Sequence, residues 1–263
     1  MISLSQLAIY PIKSTAQISL EHANMGPFGL DMDRRLMLVD KNGVMLTQRK
    51  HARMCLIQST HLDEVLTVTA PDMPALSVNY ANLSVQLLAT VWNDTCTAFD
   101  CGEEAAKWFS DFLRTDARLV YFPDNEQRQV DLSYANKGDY TAFSDGFPYL
   151  LIGQSSLDDL NSRLDTPVEM KRFRPNLVIS GADAFAEDHW KKIRIGDITF
   201  NIVKPCSRCV IPSIDPETAK KSAEPVKALA SYRMRENKIF FGQNVIAQDL
   251  GKLEVGMAVE VIE

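Results

Sequence analysis

Two cysteines three positions apart are the residues of this chain best suited to chemistry. They lie in Cys206-Ser207-Arg208-Cys209, and a turn-forming Asp215-Pro216 follows shortly after. Thiolates are soft metal ligands, and an adjacent arginine favours the ionised thiol. Pro205 before the pair and the turn after it predict a strand that ends in a loop, where reactive side chains commonly lie. The segment therefore indicates a metal or redox role.

Three other interpretations of the cysteine pair remain open. A structural zinc site needs a second ligand pair, and Cys55, Cys96, Cys101 and the four histidines supply none at similar spacing. A thioredoxin-like redox motif opens a helix after a strand, whereas residues 210–212 predict extended chain. Two inert buried thiols are the third interpretation, since free cysteine is among the most buried residue types.

Composition narrows the class of protein. The 263 residues are 46% hydrophobic and 24% charged, which is typical of a soluble globular protein with one large or two smaller domains. The net charge of −6 disfavours nonspecific nucleic-acid binding. Five cysteines favour a reducing compartment over a disulfide scaffold. The N-terminus lacks signal-peptide features, and no apolar run approaches the ~20 residues of a membrane span, so we predict a cytoplasmic location.

The first half of the chain is predicted to consist mainly of short strands separated by turns. Alternation and turn signals predict strands at 4–12, 35–39, 44–47, 65–69, 83–88 and 95–99. A helix is predicted over 102–113, because its aromatic residues fall on one face at helical spacing. We interpret those aromatics as core.

A polar stretch at 123–139 is the best candidate for a domain boundary. The second half, after this stretch, is again predicted to contain short strands with a few helices. A helix over 156–164 is predicted to begin with a capping box at Ser156 and Asp159, and another helix covers 224–234. Further strands are predicted at 177–180, 193–195, 198–203 and 256–262. The sequence therefore predicts a β-rich α+β fold, with a β-rich N-terminal domain at 1–122 and a barrel-like domain at 123–263.

Four polar clusters lie near the ends of predicted strands, at residues 10–14, 33–35, 172–176 and 241–244. Arginine, lysine and serine at such positions are the groups that an anionic phosphate ligand requires. A thiolate in the same site would complete the binding of a metal whose cofactor carries a phosphate. Taken together, the clusters and the cysteine pair predict one such site.

The chain resembles the MOSC (molybdenum cofactor sulfurase C-terminal) family, in particular the YcbX-type proteins and the mitochondrial amidoxime reducing components. The matching segments are numerous and follow one order along nearly the whole chain. They lie at residues 10–14, 100–103, 143–145, 157–164, 173–181, 187–190, 195–197, 206–209, 215–218 and 241–243. The resemblance implies an N-terminal β-rich domain followed by the MOSC domain, which together hold a molybdenum-molybdopterin cofactor.

Site residues follow from the same resemblance. It implies that Cys209 is the metal ligand and that Cys206 is not. It assigns cofactor contacts to Lys13, Ser14, Arg35, Arg174, Asn176, Ser207, Arg208 and Asn244. The chain departs from some relatives at Gly146 and Phe147, which lack their hydroxyls, and at Asn244, where those relatives have an aromatic residue.

The resemblance also implies an activity, which is the reduction of amidoximes, hydroxylamines and N-hydroxylated bases. Asp145 is then a proton donor or pocket organiser, and a loop aspartate that caps the following segment is the alternative. The chain has neither the C-x4-C-x2-C run of the longer YcbX-type relatives nor a G-x-G-x-x-G fingerprint, so electrons are expected from a separate ferredoxin, flavodoxin or similar carrier with its reductase. Two other functions remain: a sulfur-carrier or cofactor-delivery protein that uses Cys206 and Cys209, and a noncatalytic binding module.

Overall fold

A computed structural model describes residues 1–263 and contains nineteen strands and three α-helices. The strands of the first half are β1 Ser3–Ile9, β2 Ile18–Leu20, β3 His22–Gly26, β4 Gly29–Leu30, β5 Leu36–Val39, β6 Gln58–Leu62, β7 Val65–Thr69, β8 Leu76–Asn79, β9 Gln86–Val91, β10 Asp94–Asp100 and β11 Arg118–Tyr121. Those of the second half are β12 Tyr149–Gly153, β13 Leu177–Ser180, β14 Lys192–Ile195, β15 Ile198–Ser207, β16 Met234–Arg235, β17 Lys238–Ala247, β18 Lys252–Glu254 and β19 Val259–Val261. The helices are α1 Glu103–Leu113, α2 Gln154–Asn161 and α3 Val226–Arg233. The predicted β-rich α+β class is confirmed.

The largest sheet has nine strands and forms a half barrel. Its order is β19-β14-β15-β17-β12-β13-β1-β2, and β16 pairs with β17. The first two strands of the chain thus belong to the same sheet as the strands of the second half. Three smaller sheets, β5-β11-β10-β9, β18-β3-β4 and β6-β7-β8, complete the fold. The boundary at residue 123 stays a prediction.

Strand directions bring the polar clusters to one edge of this sheet. β1 is antiparallel to β13, so the end of β1 lies beside the start of β13. β12 is parallel to β13, and the loop before β12 therefore reaches the same edge. β17 is antiparallel to both β12 and β15, which places Leu150 opposite Asn244 and Asn244 opposite Lys204. Clusters far apart in sequence therefore meet because they occupy strand ends of matching direction.

Two hydrophobic clusters pack against the strands that form this edge. A cluster of 35 buried residues runs through both halves of the chain, from Leu4 and Leu38 to Phe200 and Val259. A cluster of 8 residues packs α2 and α3 against the sheet through Leu157 and Leu229. Because these cores are close-packed, they fix the backbone from which the site loops project.

Several local predictions were wrong. Residues 44–47 form only isolated bridges, through Val44 and Met45, and no strand. Residues 211–213 form a short 3-10 turn rather than extended chain. Helix α2 begins at Gln154, and Ser156 forms no cap because its hydroxyl is buried against the Glu187 carboxylate at 2.8 Å. The strand predicted at 198–203 is confirmed as part of β15, which continues through Cys206 and ends at Ser207.

Candidate functional site

A cavity of about 670 Å³ opens at the sheet edge where the polar clusters meet. Its wall includes nine of the ten residues that the sequence analysis assigned to a site. They are Lys13, Ser14, Asp145, Arg174, Asn176, Ser207, Arg208, Cys209 and Asn244. The cavity therefore gathers residues from five separate segments of the chain and has the size of a small-molecule or cofactor site.

Arg35 is the exception, because its side chain does not line this cavity. Its guanidinium lies over the rings of Phe28 and Tyr121 and donates to the Phe122 carbonyl at 2.6 Å. The neighbouring Arg34 lines the cavity instead. Arg34 has φ 48°, a left-handed conformation that precedes β5, so the backbone turns between the two arginines.

The cavity wall is strongly cationic. Seven lysine and arginine side chains line it against three aspartates, although the whole chain carries a net charge of −6. Four of these cations have a carboxylate partner within 4 Å, and Arg174, Lys204 and Arg208 have none. A partly buried cation without a counter-charge is costly, so these three side chains fit an anionic ligand.

Arg174 and Arg208 are held in place mainly by carbonyl oxygens. Arg174 donates to the Thr15 carbonyl at 2.5 Å and lies 4.1 Å from the centre of the Tyr10 ring. Burial lowers the pKa of Arg174 to about 10. Arg208 donates to the Phe173 carbonyl at 2.6 Å, and its buried Nε has no hydrogen-bond partner. Both guanidinium groups are therefore fixed while donor capacity remains unused.

The cysteine loop forms another part of the wall. Two register shifts between β15 and β17, at residues 202–204 and 205–207, disturb the end of β15, and the second of them includes Cys206. Such bulges re-aim side chains beside functional sites. Cys206 and Cys209 are both half-buried, and Arg208 Nη1 lies 3.2 Å from Cys206 Sγ. The two thiols thus have different surroundings, since Cys206 already contacts a cation.

Asp145 organises the wall near Lys13. The Lys13 ammonium donates to Asp145 at 2.5 Å and to the Phe143 carbonyl at 2.7 Å. Arg49 and the indole N–H of Trp92 contact the same carboxylate at 3.3 Å. The surrounding protein removes part of the solvation of Asp145, which acts to raise its pKa, but the Lys13 and Arg49 charges outweigh this effect and hold the pKa well below its usual range. Burial lowers the pKa of Lys13 to about 8, although Asp145 opposes that shift.

Asn176 has a structural role in addition to its place on the cavity wall. Its side chain donates to the Ala8 carbonyl at 3.1 Å and accepts from Arg34 at 2.9 Å and from the Leu150 N–H at 3.2 Å. It therefore ties β1 to β12 at the cavity floor. Asn244 likewise donates to the Lys204 carbonyl at 3.1 Å, which ties β17 to β15.

Four residues of the wall have left-handed backbones without being glycine. Ser14, Arg34, Trp92 and Arg174 have φ between 48° and 71°. Such conformations cost of order 1–3 kcal/mol each and concentrate at functional sites, where the surrounding structure imposes them.

Sequence reasoning missed several wall residues. Arg49, Trp92, Arg128 and Lys204 carried no motif that set them apart from ordinary surface groups. Arg128 is buried and donates to the carbonyls of Ala142 at 2.9 Å and of Ser144 at 2.7 Å, so it shapes the loop that carries Asp145. The sequence analysis selected Arg35 and not its neighbour Arg34, because the left-handed backbone of Arg34 is not visible in the sequence.

Known families match both halves of the chain. Residues 1–116 match the MOSC N-terminal beta barrel domain, and residues 139–260 match the MOSC domain. Over 97% of its length the chain is 35% identical to mitochondrial amidoxime-reducing component 1 of Mus musculus, of which the match covers 80%. It is 34% identical to amidoxime reducing component 2 of Bos taurus and to component 1 of Homo sapiens, each over 97% of this chain and 81% of the relative. The chain belongs to the family of two-domain MOSC proteins that includes the mitochondrial amidoxime-reducing components.

The helices contain no segment with both the length and the apolar character needed to cross a membrane.

Proposed function

We propose that this protein is a molybdenum-cofactor-dependent reductase of N-hydroxylated compounds, namely amidoximes, hydroxylamines and N-hydroxylated bases. The observation that carries the proposal is the set of unpaired cations, Arg174, Lys204 and Arg208, in one cavity with the Cys209 thiol. This set fits an anionic cofactor that also needs one soft ligand. The family relationship to the amidoxime-reducing components supports the same activity.

The residues present fit such a cofactor. We assign Cys209 as the metal ligand, as the resemblance to the MOSC proteins implies, and the Cys209 thiol lies on the cavity wall. We assign phosphate binding to the unpaired cations, and hydrogen bonding to Lys13, Ser14, Asn176, Ser207 and Asn244. The chemistry that the cofactor supplies when bound is the two-electron removal of oxygen from nitrogen, with two protons taken up and water released.

Asp145 fits the role of an organiser better than that of a proton donor. Its low pKa keeps the carboxylate ionised at neutral pH. It has no proton to give under these conditions, but it holds Lys13, Arg49 and Trp92 in place. Lys13 carries a proton at Nζ and releases it more readily than an ordinary lysine, since its pKa is lowered to about 8 by burial. We therefore assign Lys13 as the proton-holding group of this wall.

Electrons are proposed to come from a separate carrier, a ferredoxin, flavodoxin or similar protein with its reductase. The relatives bear the name of reducing components, which describes one part of a larger system. We place the docking of the carrier near the mouth of the cavity, because electron transfer weakens steeply with distance.

One observation favours a second candidate. Cys206 and Cys209 are both half-buried on the same cavity wall, which is an arrangement that a sulfur-carrier or cofactor-delivery protein would use. Such a protein would hold persulfide on a cysteine and would not turn over N-hydroxylated substrates.

The test begins with protein purified from a host that makes the cofactor. We expect stoichiometric molybdenum and pterin, and reduction of a panel of N-hydroxylated compounds with reduced methyl viologen as the donor. NADH or NADPH alone should give no turnover until a carrier and its reductase are added. Labile persulfide on cysteine without molybdenum would instead favour the carrier function, and robust NADH-driven turnover by the pure chain would contradict the separate carrier.

A further inference from the structure

The tip of the β9–β10 hairpin reaches into the cavity from the first half of the chain. Asp94 pairs with Val91, and the hairpin turn between them places Trp92 on the cavity wall. Trp92 has φ 57°, a conformation that a bulky residue rarely adopts. Contacts at the site hold it there, since its N–H reaches Asp145 at 3.3 Å and the Arg49 guanidinium lies 4.7 Å from the ring centre.

Trp92 nevertheless keeps a large free surface. The residue is 45% exposed, which is unusual for a tryptophan fixed by two partners. Arg49 covers one face of a ring that has two. A flat ligand in the cavity can therefore stack on the uncovered part of the indole without displacing Arg49.

A second aromatic group lines the same cavity. Phe147 is half-buried, and the Tyr134 ring packs against its ring edge-to-face at 6.0 Å. Lys204 Nζ lies 4.1 Å from the centre of the Tyr134 ring, which fixes that pair further.

We infer that Trp92 is a specificity-determining residue that stacks on the planar aromatic part of the substrate, with Phe147 as a second apolar contact. The inference rests on the proposed function, because it names the substrate class of that same cavity. Aromatic amidoximes are preferred over aliphatic ones, since only a flat ring gains stacking energy on an indole.

The experiment compares Trp92→Leu with Trp92→Phe, because the two variants separate the ring from the N–H. Both lose the hydrogen bond to Asp145, but only Trp92→Phe keeps an aromatic ring. Leu88→Ala is the matched control, since Leu88 is exposed on the same hairpin and does not line this cavity. Benzamidoxime and acetamidoxime serve as the aromatic and aliphatic probes, and molybdenum content is measured for every protein.

We expect Trp92→Leu to lower kcat/KM for benzamidoxime about three- to tenfold, the size of one aromatic contact, with a change below about twofold for acetamidoxime. Trp92→Phe should retain most of the preference, and Leu88→Ala all of it. Molybdenum content should be unchanged throughout. Equal losses for both probes would overturn the inference and leave Trp92 as a support for Asp145 alone.

A binding measurement separates this inference from the proposed function. Calorimetry without an electron donor should show weaker benzamidoxime binding to Trp92→Leu than to the wild type, by a similar factor. If the wild type turns over no N-hydroxylated compound, the proposed function fails. The calorimetric difference between wild type and Trp92→Leu then decides by itself whether Trp92 binds an aromatic ligand. Unchanged benzamidoxime affinity in Trp92→Leu, or no binding by the wild type, would contradict the role of Trp92.

Discussion

At the scale of single residues, Lys13 combines a buried ammonium with a solvent-exposed partner. The Lys13 side chain is 6% exposed, whereas that of Asp145 is 61% exposed because it faces the open cavity. Burial of Lys13 outweighs the attraction of the carboxylate and lowers the lysine pKa from 10.5 to about 8. The folded protein thus carries a charged ammonium in a site where burial disfavours the charge, and such perturbed groups are common at functional sites.

This lowered pKa predicts a pH dependence of stability. Between pH 8 and 10.5 the unfolded chain binds the Lys13 proton and the folded chain does not, so Lys13 makes the free energy of unfolding rise with pH, by about 3 kcal/mol at most. Lys13→Met should lack this rise. Urea unfolding of both proteins, free of cofactor, measures the difference.

The comparison is needed because other groups titrate in the same range. Burial raises the pKa of Cys55 to about 11 and that of Tyr10 to about 12, and both effects lower stability as pH rises. They are common to the two proteins and cancel in the difference. A wild-type advantage that stays constant or shrinks from pH 8 to 10.5 would contradict the buried, destabilised ammonium.

A second prediction concerns Arg174, whose only protein hydrogen bond leaves the guanidinium available to a ligand. Arg174→Ala should lower molybdenum and pterin content severalfold, because the loss of one charge-assisted contact costs about 1.5–3 kcal/mol of binding. Arg172→Ala is the control. Arg172 lies two positions away and pairs with Asp215 at 2.7 Å outside this cavity. A fully loaded Arg174→Ala protein would remove Arg174 from the cofactor site.

At the scale of elements, the Phe241-Gly242-Gln243 segment is explained by strand packing. Gly242 has φ 80°, and a Cβ there would lie 2.9 Å from the Leu151 carbonyl and 2.7 Å from Ile152. Gln243 is buried and donates to Asp188 at 2.7 Å. The segment therefore sets how closely β17 approaches β12, and with it the position of Asn244 in the cavity.

Gly242→Ala should accordingly destabilise the fold by about 2–4 kcal/mol, from backbone strain and steric overlap together. Gly138→Ala is the matched control, since Gly138 has φ 101° but open space around its Cβ position, and we expect a loss of about 1 kcal/mol. Denaturant midpoints of both variants against the wild type provide the measurement. Equal losses would show that strain alone, and not the approach of β17 to β12, accounts for the glycine.

Secondary-structure elements were predicted from the sequence more accurately than the directions of individual side chains. Strands β7 and β13 were predicted with their observed bounds, because alternation and apolar runs report local burial directly. The side from which Arg34 and Arg35 leave the backbone was not predictable, since it depends on one left-handed residue. Trp92 and Arg49 were missed for a different reason. Their role comes from contacts with Asp145 across at least 53 residues of chain, which no local pattern encodes.

At the scale of the whole molecule, the two sequence domains share one sheet. β1 pairs with β13, and its residues Leu4 and Leu7 are almost fully buried. A fragment of residues 123–263 alone would leave the β13 edge open and would expose Leu177 and Ile179.

We therefore predict that residues 123–263 do not fold alone, whereas co-expression with residues 1–122 yields a soluble complex. Circular dichroism and the dispersion of amide NMR signals measure this directly. A well-dispersed spectrum and cooperative unfolding of the isolated fragment would show that the second half is an independent domain.

The central claim is that one cationic cavity holds the cofactor through a single protein thiolate. The most direct test measures molybdenum content and amidoxime turnover in Cys209→Ala and Cys206→Ala, two substitutions of one residue type in one loop. We predict that Cys209→Ala abolishes molybdenum-dependent turnover, while Cys206→Ala keeps much of it, because the family relationship assigns the metal to Cys209. Equal loss in both variants would contradict this account and favour a paired-cysteine redox or persulfide role.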